Sequence, residues 1–251
     1  MSSANSLLPF AAARPTRMAE GTSPTCGFGA VRKAREALAG WCDAVRKRRT
    51  EVRAWQEART FEDIAVLTAH WLRGLMLWHP NGHHGGPDPE TMPLVDVLAA
   101  ANLAGILTDN SQPGELVELH ERPWQQRAFV TAFVADPALA RALCARATEA
   151  GLVVRVYRPG SRVDERGERG AVDVTLWGTS VNTGMGDWLP PRAVRRILPG
   201  CDRQAVREVA AAWQVTLIDP VWGRNTVLWP LLGRFLDSWA HGGLDEGDEQ
   251  R

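Results

Sequence analysis

The chain has 251 residues and equal numbers of acidic and basic side chains, so its formal net charge is zero. This balance argues against a protein that relies on overall charge to reach nucleic acid or an anionic membrane. The hydrophobic fraction of 45% and the charged fraction of 23% are ordinary for a globular protein with its own core. No stretch approaches the roughly 18 apolar residues of a membrane span, so we expect no membrane contact.

The four cysteines are far apart and form no C-x-x-C pair, which argues against a zinc knuckle or a redox motif. Such sparse cysteines are typical of a reducing compartment, and we predict a cytoplasmic protein with no metal and no other cofactor. Residues 1–28 are rich in Ser, Ala, Pro, Thr and Gly and predict a disordered extension, in which Met18 is an alternative start. The acidic tail over 242–251 also predicts disorder.

Residues 29–105 predict a helical segment. Its first helix carries apolar residues at alternating spacings of three and four from Leu38 to Trp55, the pattern of one helical seam. Four consecutive basic residues at 46–49 lie within this seam. The helix is therefore a candidate surface for a protein partner or for phosphates.

Two further helices follow in this segment. Thr60 and Asp63 have the spacing of a capping box, which opens a second helix reaching about Leu77. After a loop, Thr91 is placed to cap a third helix, and Gly105 is placed to end it. The segment thus offers apolar helices that need a sheet or another helix to cover them.

Residues 106–241 predict an α+β domain, because short apolar strands alternate with helical patterns. The order is that of a ferredoxin-like β-α-β-β-α-β sandwich, preceded by the helices and closed by a C-terminal helix. That last helix is expected from about Asn225 to Trp239, with Pro230 distorting its start. The predicted strands of the sandwich cover residues 127–134, 152–158, 171–177 and 214–219.

A polar loop from Thr108 to Gly114 is the most site-like feature of the chain, since it follows a short predicted strand at 106–108. Loops after strands are frequent places for ligand sites. The guanidinium of Arg127, at the start of the next strand, would suit a carboxylate or phosphate. Because the same residue types favour ordinary turns, the interpretation of this loop as a turn without function stays open. The candidate ligand-binding residues are Thr108, Asp109, Ser111, Gln112, Gln126 and Arg127.

A family resemblance rests on these residues. The run Ala-Gly-Ile-Leu-Thr-Asp-Asn-Ser-Gln-Pro-Gly ending at Gly114, with Gln126-Arg127-Ala128 after it, resembles an uncharacterised domain family of high-GC Gram-positive bacteria. Members share a helix, a Thr-Asp-x-Ser-Gln-Pro-Gly loop and a Gln-Arg-Ala strand start. The resemblance covers roughly residues 55–229 and implies no activity, but it makes a site as well supported as a plain turn.

Other motifs have weaker support. His79, His83 and His84 crowd one loop, but Pro and Gly between them argue against a helix that would align metal ligands, so a solvated loop is the favoured interpretation. Ser111, His120 and Asp109 could be combined into a triad, yet no G-x-S-x-G elbow is present. We therefore name no catalytic residue.

Two turns near the C-terminal half are also of interest. Gly184 and Gly186 form a G-x-G without the third glycine of a dinucleotide site, and we interpret them as a connection between strand and helix. Residues 219–225 lie before the last helix, where backbone amides favour anions, although capping by Asn225 explains them as well. The residues alone do not decide whether this turn meets the loop from Thr108.

Two functions are consistent with these patterns. The first is binding, with turnover left open, of an anionic or nucleotide-like small molecule at the loop from Thr108 to Gly114. The alternative is a non-enzymatic module that uses the basic first helix to bind a protein or nucleic acid. No helix-turn-helix or zinc-finger pattern is present, which argues against sequence-specific nucleic-acid recognition.

Overall fold

The computed structural model describes residues 27–81, 85–119 and 122–242. Most of the two predicted disordered ends, and the side chains of His83, His84 and His120, lie outside the described residues. The chain divides into two compact units, residues 1–45 and residues 46–251. None of the described helices is both long enough and apolar enough to cross a membrane.

The described helices begin largely where their capping residues predict. Thr60 accepts a hydrogen bond from the amide of Asp63, whose carboxylate accepts one from Thr60 in return, so the capping box is confirmed. Asp136 and Asp202 cap two later helices by accepting hydrogen bonds from the amides of Ala138 and Gln204. The helices are α1 (Gly27–Glu57), α2 (Phe61–Leu72), α3 (Val95–Leu103), α4 (Pro137–Glu149), α5 (Pro191–Ile197), α6 (Arg203–Ala210) and α7 (Leu228–Ala240).

The strands of the described chain form two antiparallel sheets of four strands each. The first sheet has the order β1-β4-β8-β5, and the second has the order β2-β3-β6-β7. β1 is therefore an edge strand of the first sheet. The strands are β1 (Ile106–Gln112), β2 (Glu115–Leu119), β3 (Arg122–Gln126), β4 (Phe129–Val134), β5 (Val153–Tyr157), β6 (Val172–Trp177), β7 (Ser180–Met185) and β8 (Trp213–Ile218).

The α+β class is confirmed, but the strand order is not that of a ferredoxin-like sandwich. β4, α4 and β5 do form a split β-α-β unit, yet the strand between β4 and β5 is β8 rather than β6. β6 instead pairs with β3 and β7 in the second sheet. The reason lies in β2, β3 and β7, which the sequence patterns do not predict and which provide β6 with other partners.

The core lies on both faces of the first sheet. β4 has Val130, Ala132 and Val134 in the large cluster that includes the helices, because α2 and α3 contact β1 while α4 contacts β4, β5 and β8. On the opposite face, Phe129 packs with Val174 of the second sheet. A strand covered on both faces reads as a continuous apolar run, which is why β4 is clear in the sequence.

The predicted polar loop is a strand over most of its length, so that prediction is corrected. β1 continues to Gln112, and its pairing with β4 shifts register at Asp109: Thr108 lies opposite Ala132, and Asn110 lies opposite Thr131. The extra residue makes a β-bulge, which bends an edge strand and re-aims a side chain. The hydroxyl of Thr131 accepts a hydrogen bond from the amide of Asn110 at 3.1 Å and so completes the interrupted ladder.

Helix boundaries differ in two further places. Thr91 makes no side-chain cap, and a short 3-10 turn over Met92–Leu94 leads into α3. α7 begins at Leu228, so Pro230 lies in its first turn, where a missing amide proton breaks no helical bond. Asn225 lies before this helix and does not cap it.

Candidate functional site

A cleft with a volume of about 390 Å³ opens beside β1 in the second unit. Its walls are α2, the loop that leads to α3, and the bulged part of β1. Three of the predicted ligand-binding residues, Thr108, Asp109 and Ser111, line it. The other polar and aromatic lining residues are Thr68, Trp71, His79, Asn81, Asp88, Glu90, Thr91 and Asn110.

The loop wall of the cleft is anchored on α1. The carboxylate of Glu51 accepts hydrogen bonds from the amides of Leu77 and Trp78, each at 3.0 Å. The indole Nε1 of the fully buried Trp55 donates to the carbonyl of Trp78 at 3.2 Å. Because a buried carboxylate with two amide donors is costly to leave unpaired, these contacts fix the start of the loop.

His79 is buried, so the interpretation of its segment as a solvated loop is wrong for this residue. Its side chain is 8% exposed and lies between two indoles, with ring centroids 4.9 Å from Trp55 and 4.6 Å from Trp71. Its Nδ1 is 2.6 Å from Oδ1 of Asn81, the shorter of two contacts between these residues, which favours a proton on Nδ1. Among the described residues, no three His, Cys, Asp or Glu side chains are placed to share a metal ion.

Thr108 is held in position by α3. The buried Asn102 donates from Nδ2 to the Thr108 hydroxyl oxygen at 2.7 Å and accepts from the Thr108 amide at 3.2 Å. Since the hydroxyl oxygen already accepts from Asn102, its proton stays available to donate to a molecule in the cleft. Asn102 is thus a positioning residue that supports Thr108.

Asp109 is the residue added by the β-bulge, and it lines the cleft. Burial raises the pKa of this carboxyl from 3.8 to about 6. No group in the described part of the chain donates a hydrogen bond to it. At neutral pH the cleft therefore holds an ionised, poorly solvated carboxylate that lacks a counter-charge.

The lining of the cleft is acidic overall. Asp88 and Glu90 add two carboxyls to that of Asp109. The pKa of Glu90 is raised, first by burial and then by the nearby charges of Asp88 and Glu115. Within the described ranges, no lysine or arginine lines this cleft. Such a surface attracts cations and repels anions.

The other predicted site residues lie where the two sheets join. Gln112 donates from Nε2 to the carbonyls of Arg127 and Val174, at 3.0 and 3.1 Å. Gln126 is buried and accepts a hydrogen bond from the indole of Trp124. These contacts connect β1 to the second sheet, away from Thr108 and Asp109.

Arg127 is also engaged with the protein. Its guanidinium carbon lies 4.1 Å from the ring centroid of Trp222, and one nitrogen donates to the carbonyl of Asp173 at 3.0 Å. Arg127 does not line the cleft beside Asp109. The structure thus separates the cationic neighbour that the sequence suggested from the carboxylate of the bulge.

The turn over residues 219–225 meets the end of the predicted loop. Asn225 accepts from the amide of Gly114 and donates to its carbonyl, both at 2.7 Å. The buried Asp219 binds the guanidinium of Arg224 at 2.7 Å. A Cβ atom on Gly114 would lie 2.7 Å from the carbonyl oxygen of Arg224, so this position requires glycine. The turn therefore clamps the chain where it passes from the first sheet to the second.

The apolar seam proposed for a protein partner is buried at one end, at Trp55, and exposed at the other. Trp55 is fully buried in the second unit, so it is unavailable to a partner. Leu38 and Trp41, in the first unit, are 67% and 66% exposed. Only the early part of the predicted seam therefore presents an apolar surface.

A comparison with family models matches residues 50–239 to a family described as a domain of unknown function, DUF6919. The matched range includes every residue that lines the cleft beside Asp109, together with its anchors Glu51 and Trp55. No curated protein matches the chain. The predicted membership in an uncharacterised domain family is thereby confirmed, and the chain belongs to the DUF6919 family.

Proposed function

We propose that the protein binds a small organic cation, with its ammonium group against the carboxylate of Asp109. One observation carries the proposal: a partly buried aspartate on a β-bulge lines a cleft, and its carboxylate has no hydrogen-bond donor among the described residues. An ammonium would supply the missing donors and the missing charge together. Charge-assisted hydrogen bonds of this kind are about twice as strong as neutral ones.

The rest of the lining suits the same ligand class. The carboxyls of Asp88 and Glu90 raise the local concentration of cations, and the indole of Trp71 offers a ring face for a cation–π contact. Thr108 and Ser111 supply hydroxyls that orient polar groups of the ligand. In this arrangement Asp109 provides affinity, and the neighbouring groups provide selectivity.

This ligand class replaces the anionic or nucleotide-like compound expected from the sequence. That expectation depended on Arg127 lying beside the polar residues of the predicted loop. Because Arg127 stacks on Trp222 and the cleft is lined by carboxyls, an anion would meet repulsion there. Gln112, Gln126 and Arg127 are proposed to support the site through the junction of the sheets rather than to touch the ligand.

Turnover is compatible with the site but is not required by it. A carboxyl with a pKa of about 6 exchanges protons readily near neutral pH, as a general acid or base does. The observations name no nucleophile and no bond to be broken. The proposal is therefore confined to binding.

Three ligands of matched size test the charge preference. Calorimetric titration of the protein with benzylamine, benzyl alcohol and benzoate compares a cation, a neutral molecule and an anion on one ring. We expect benzylamine to bind, and to bind at least about tenfold more tightly than the other two, since a hydrogen bond to a charged group contributes roughly 1.5–3 kcal/mol. Asp109→Asn should remove this preference.

A matched control and two outcomes complete the test. Asp173→Asn, on an exposed position of β6, changes the net charge equally and should leave benzylamine binding unaltered. Tighter binding of benzoate, or benzylamine binding that survives Asp109→Asn, would contradict the proposal. Binding of none of the three ligands would also contradict it.

The alternative is an interaction module that uses the first helix. It is supported by the exposure of Leu38 and Trp41 and by the exposed basic run at 46–49. Replacing Leu38 and Trp41 together by alanine tests it in a pull-down from cell extract. The alternative predicts the loss of one specific partner, whereas an unchanged set of partners would exclude it.

A further inference from the structure

A second cleft, with a volume of about 260 Å³, lies on the opposite face of the first sheet. Asp109 and Asn110 line this cleft as well as the first one. Because β1 is an edge strand, no further strand separates the two faces beyond Asp109. One ligand can therefore contact the Asp109 carboxylate from the first cleft and extend around the sheet edge, or enter from the second cleft directly.

The floor of the second cleft is mostly apolar, although Thr131, Gln214 and Thr216 also line it. Phe133 and Tyr157 contribute aromatic side chains from the first sheet, and Met185 and Leu189 contribute aliphatic ones from the facing segment. Gly184 and Gly186, the G-x-G of the sequence, also line it. A chain of methylene groups is the chemistry that such a surface accepts, at about fourfold in affinity for each buried methylene.

The wall opposite the sheet is held in place by side-chain hydrogen bonds. The hydroxyl of Tyr157 donates to the carbonyl of Gly186 at 3.1 Å. Gln214 donates to the carbonyl of Leu189 and accepts from its amide, both at 2.8 Å. The cleft is thus preformed, so a ligand need not order this segment when it binds.

A second carboxylate lies at the rim of this cleft. Asp187 is exposed, lines the cleft and accepts only the amide of the adjacent Trp188 among its described hydrogen bonds. The nearby arginines have other partners: Arg155 pairs with Asp164 and Glu168, and Arg162 lies over Trp188. The second cleft therefore has a mostly apolar middle, with Asp109 and Asp187 as its acidic groups.

We infer that the ligand is an aliphatic diamine or a longer linear polyamine. One ammonium pairs with Asp109, the methylene chain lies along the apolar floor, and a second ammonium pairs with Asp187. This inference rests on the proposed function, because it uses the same Asp109 contact. The proposed function requires only an ammonium, whereas this inference requires two cations spaced along a flexible apolar chain.

Hexylamine and hexamethylenediamine test the inference separately from the proposed function, because the two ligands differ only in the second ammonium. A terminal ammonium placed in an apolar cleft without a partner weakens binding. Paired with an exposed carboxylate, it strengthens binding by up to about fivefold. The diamine should therefore bind the wild-type protein about fivefold more tightly than hexylamine.

Two variants test which carboxylate causes the tighter binding of the diamine. Asp187→Asn keeps an oxygen for the amide of Trp188 but should abolish or reverse the advantage of the diamine, with hexylamine binding unchanged. Asp109→Asn should weaken both ligands. If hexylamine binds and the diamine is no tighter, or if the advantage survives Asp187→Asn, the inference is wrong and the proposed function stands. If neither amine binds the wild-type protein, the inference is wrong, and benzylamine binding then decides the proposed function separately.

Discussion

Replacing Asp109 by asparagine should stabilise the fold while it removes the ligand site. Asparagine has nearly the same shape as aspartate and keeps a polar side chain at the bulge, but it cannot ionise. In the wild-type protein, burial raises the pKa of this carboxyl from 3.8 to about 6. The folded state therefore holds the proton more tightly than the unfolded state does, and ionisation at neutral pH opposes folding.

The magnitude follows from the size of this shift. About two pKa units at roughly 1.4 kcal/mol each give about 3 kcal/mol for the cost of ionised Asp109 above about pH 6. Because the carboxyl is partly exposed to solvent, we take about 2 kcal/mol as the lower bound. Below about pH 3 the carboxyl is protonated in both states, so the difference from asparagine should vanish.

Urea denaturation between about pH 3 and pH 8 measures this difference directly. The free energy of unfolding of Asp109→Asn should exceed that of the wild type by about 2 to 3 kcal/mol at about pH 7 and should match it at about pH 3. Asp173→Asn is the matched control, because its exposed side chain lies on β6. A destabilising Asp109→Asn at neutral pH, or a difference that does not depend on pH, would refute the reasoning.

Three further predictions concern the supports of the site and its ligand. Asn225→Ala should destabilise the fold by about 2 kcal/mol in urea denaturation, because its two hydrogen bonds to the turn after β1 are lost, whereas the exposed Asn182→Ala should change stability by less than about 0.5 kcal/mol. Glu51→Ala removes the acceptor of two loop amides, so it should lower the free energy of unfolding by about 2 kcal/mol and speed proteolysis of that loop. The exposed Glu57→Ala is the control and should leave stability and proteolysis nearly unchanged. Benzylamine affinity, measured by calorimetry, should fall about tenfold from about pH 7 to pH 5, because protons compete for Asp109; a flat profile would exclude this carboxyl as the contact.

Local signals predicted the helical part of the fold. The capping box at Thr60 and the caps at Asp136 and Asp202 act within one turn, so their spacing is visible in the sequence. The apolar run of β4 is equally visible because both its faces are buried. These elements depend on contacts between near neighbours or on burial alone.

The missing strands depend on distant partners. β1 is polar over residues 108–112, and it becomes a strand because β4 supplies its ladder and Thr131 completes the bulge. β2 and β3 carry charges and Pro123, and β7 carries an asparagine and a glycine, so their strand propensity is low. Since β6 takes its partners from these strands, the ferredoxin-like order could not be excluded from local patterns.

The candidate site was predictable only in part for the same reason. Thr108, Asp109 and Ser111 stand together in the sequence and line one cleft. His79 reaches that cleft between Trp55 and Trp71, residues far from it along the chain, and no local spacing shows this burial. One local signal was available for Asn102, a polar residue within the apolar helix α3 that holds Thr108 in place.

The most direct test of the central claim is the pKa of the Asp109 carboxyl itself. Carbon NMR titration of labelled aspartate, assigned with Asp109→Asn, would follow this carboxyl without and with saturating benzylamine. We expect a pKa of about 6 for the protein alone, because burial without a counter-charge raises it. An ammonium in contact with it should lower that value by about one to three units. A pKa that benzylamine leaves unchanged would contradict the claim that Asp109 binds the cation.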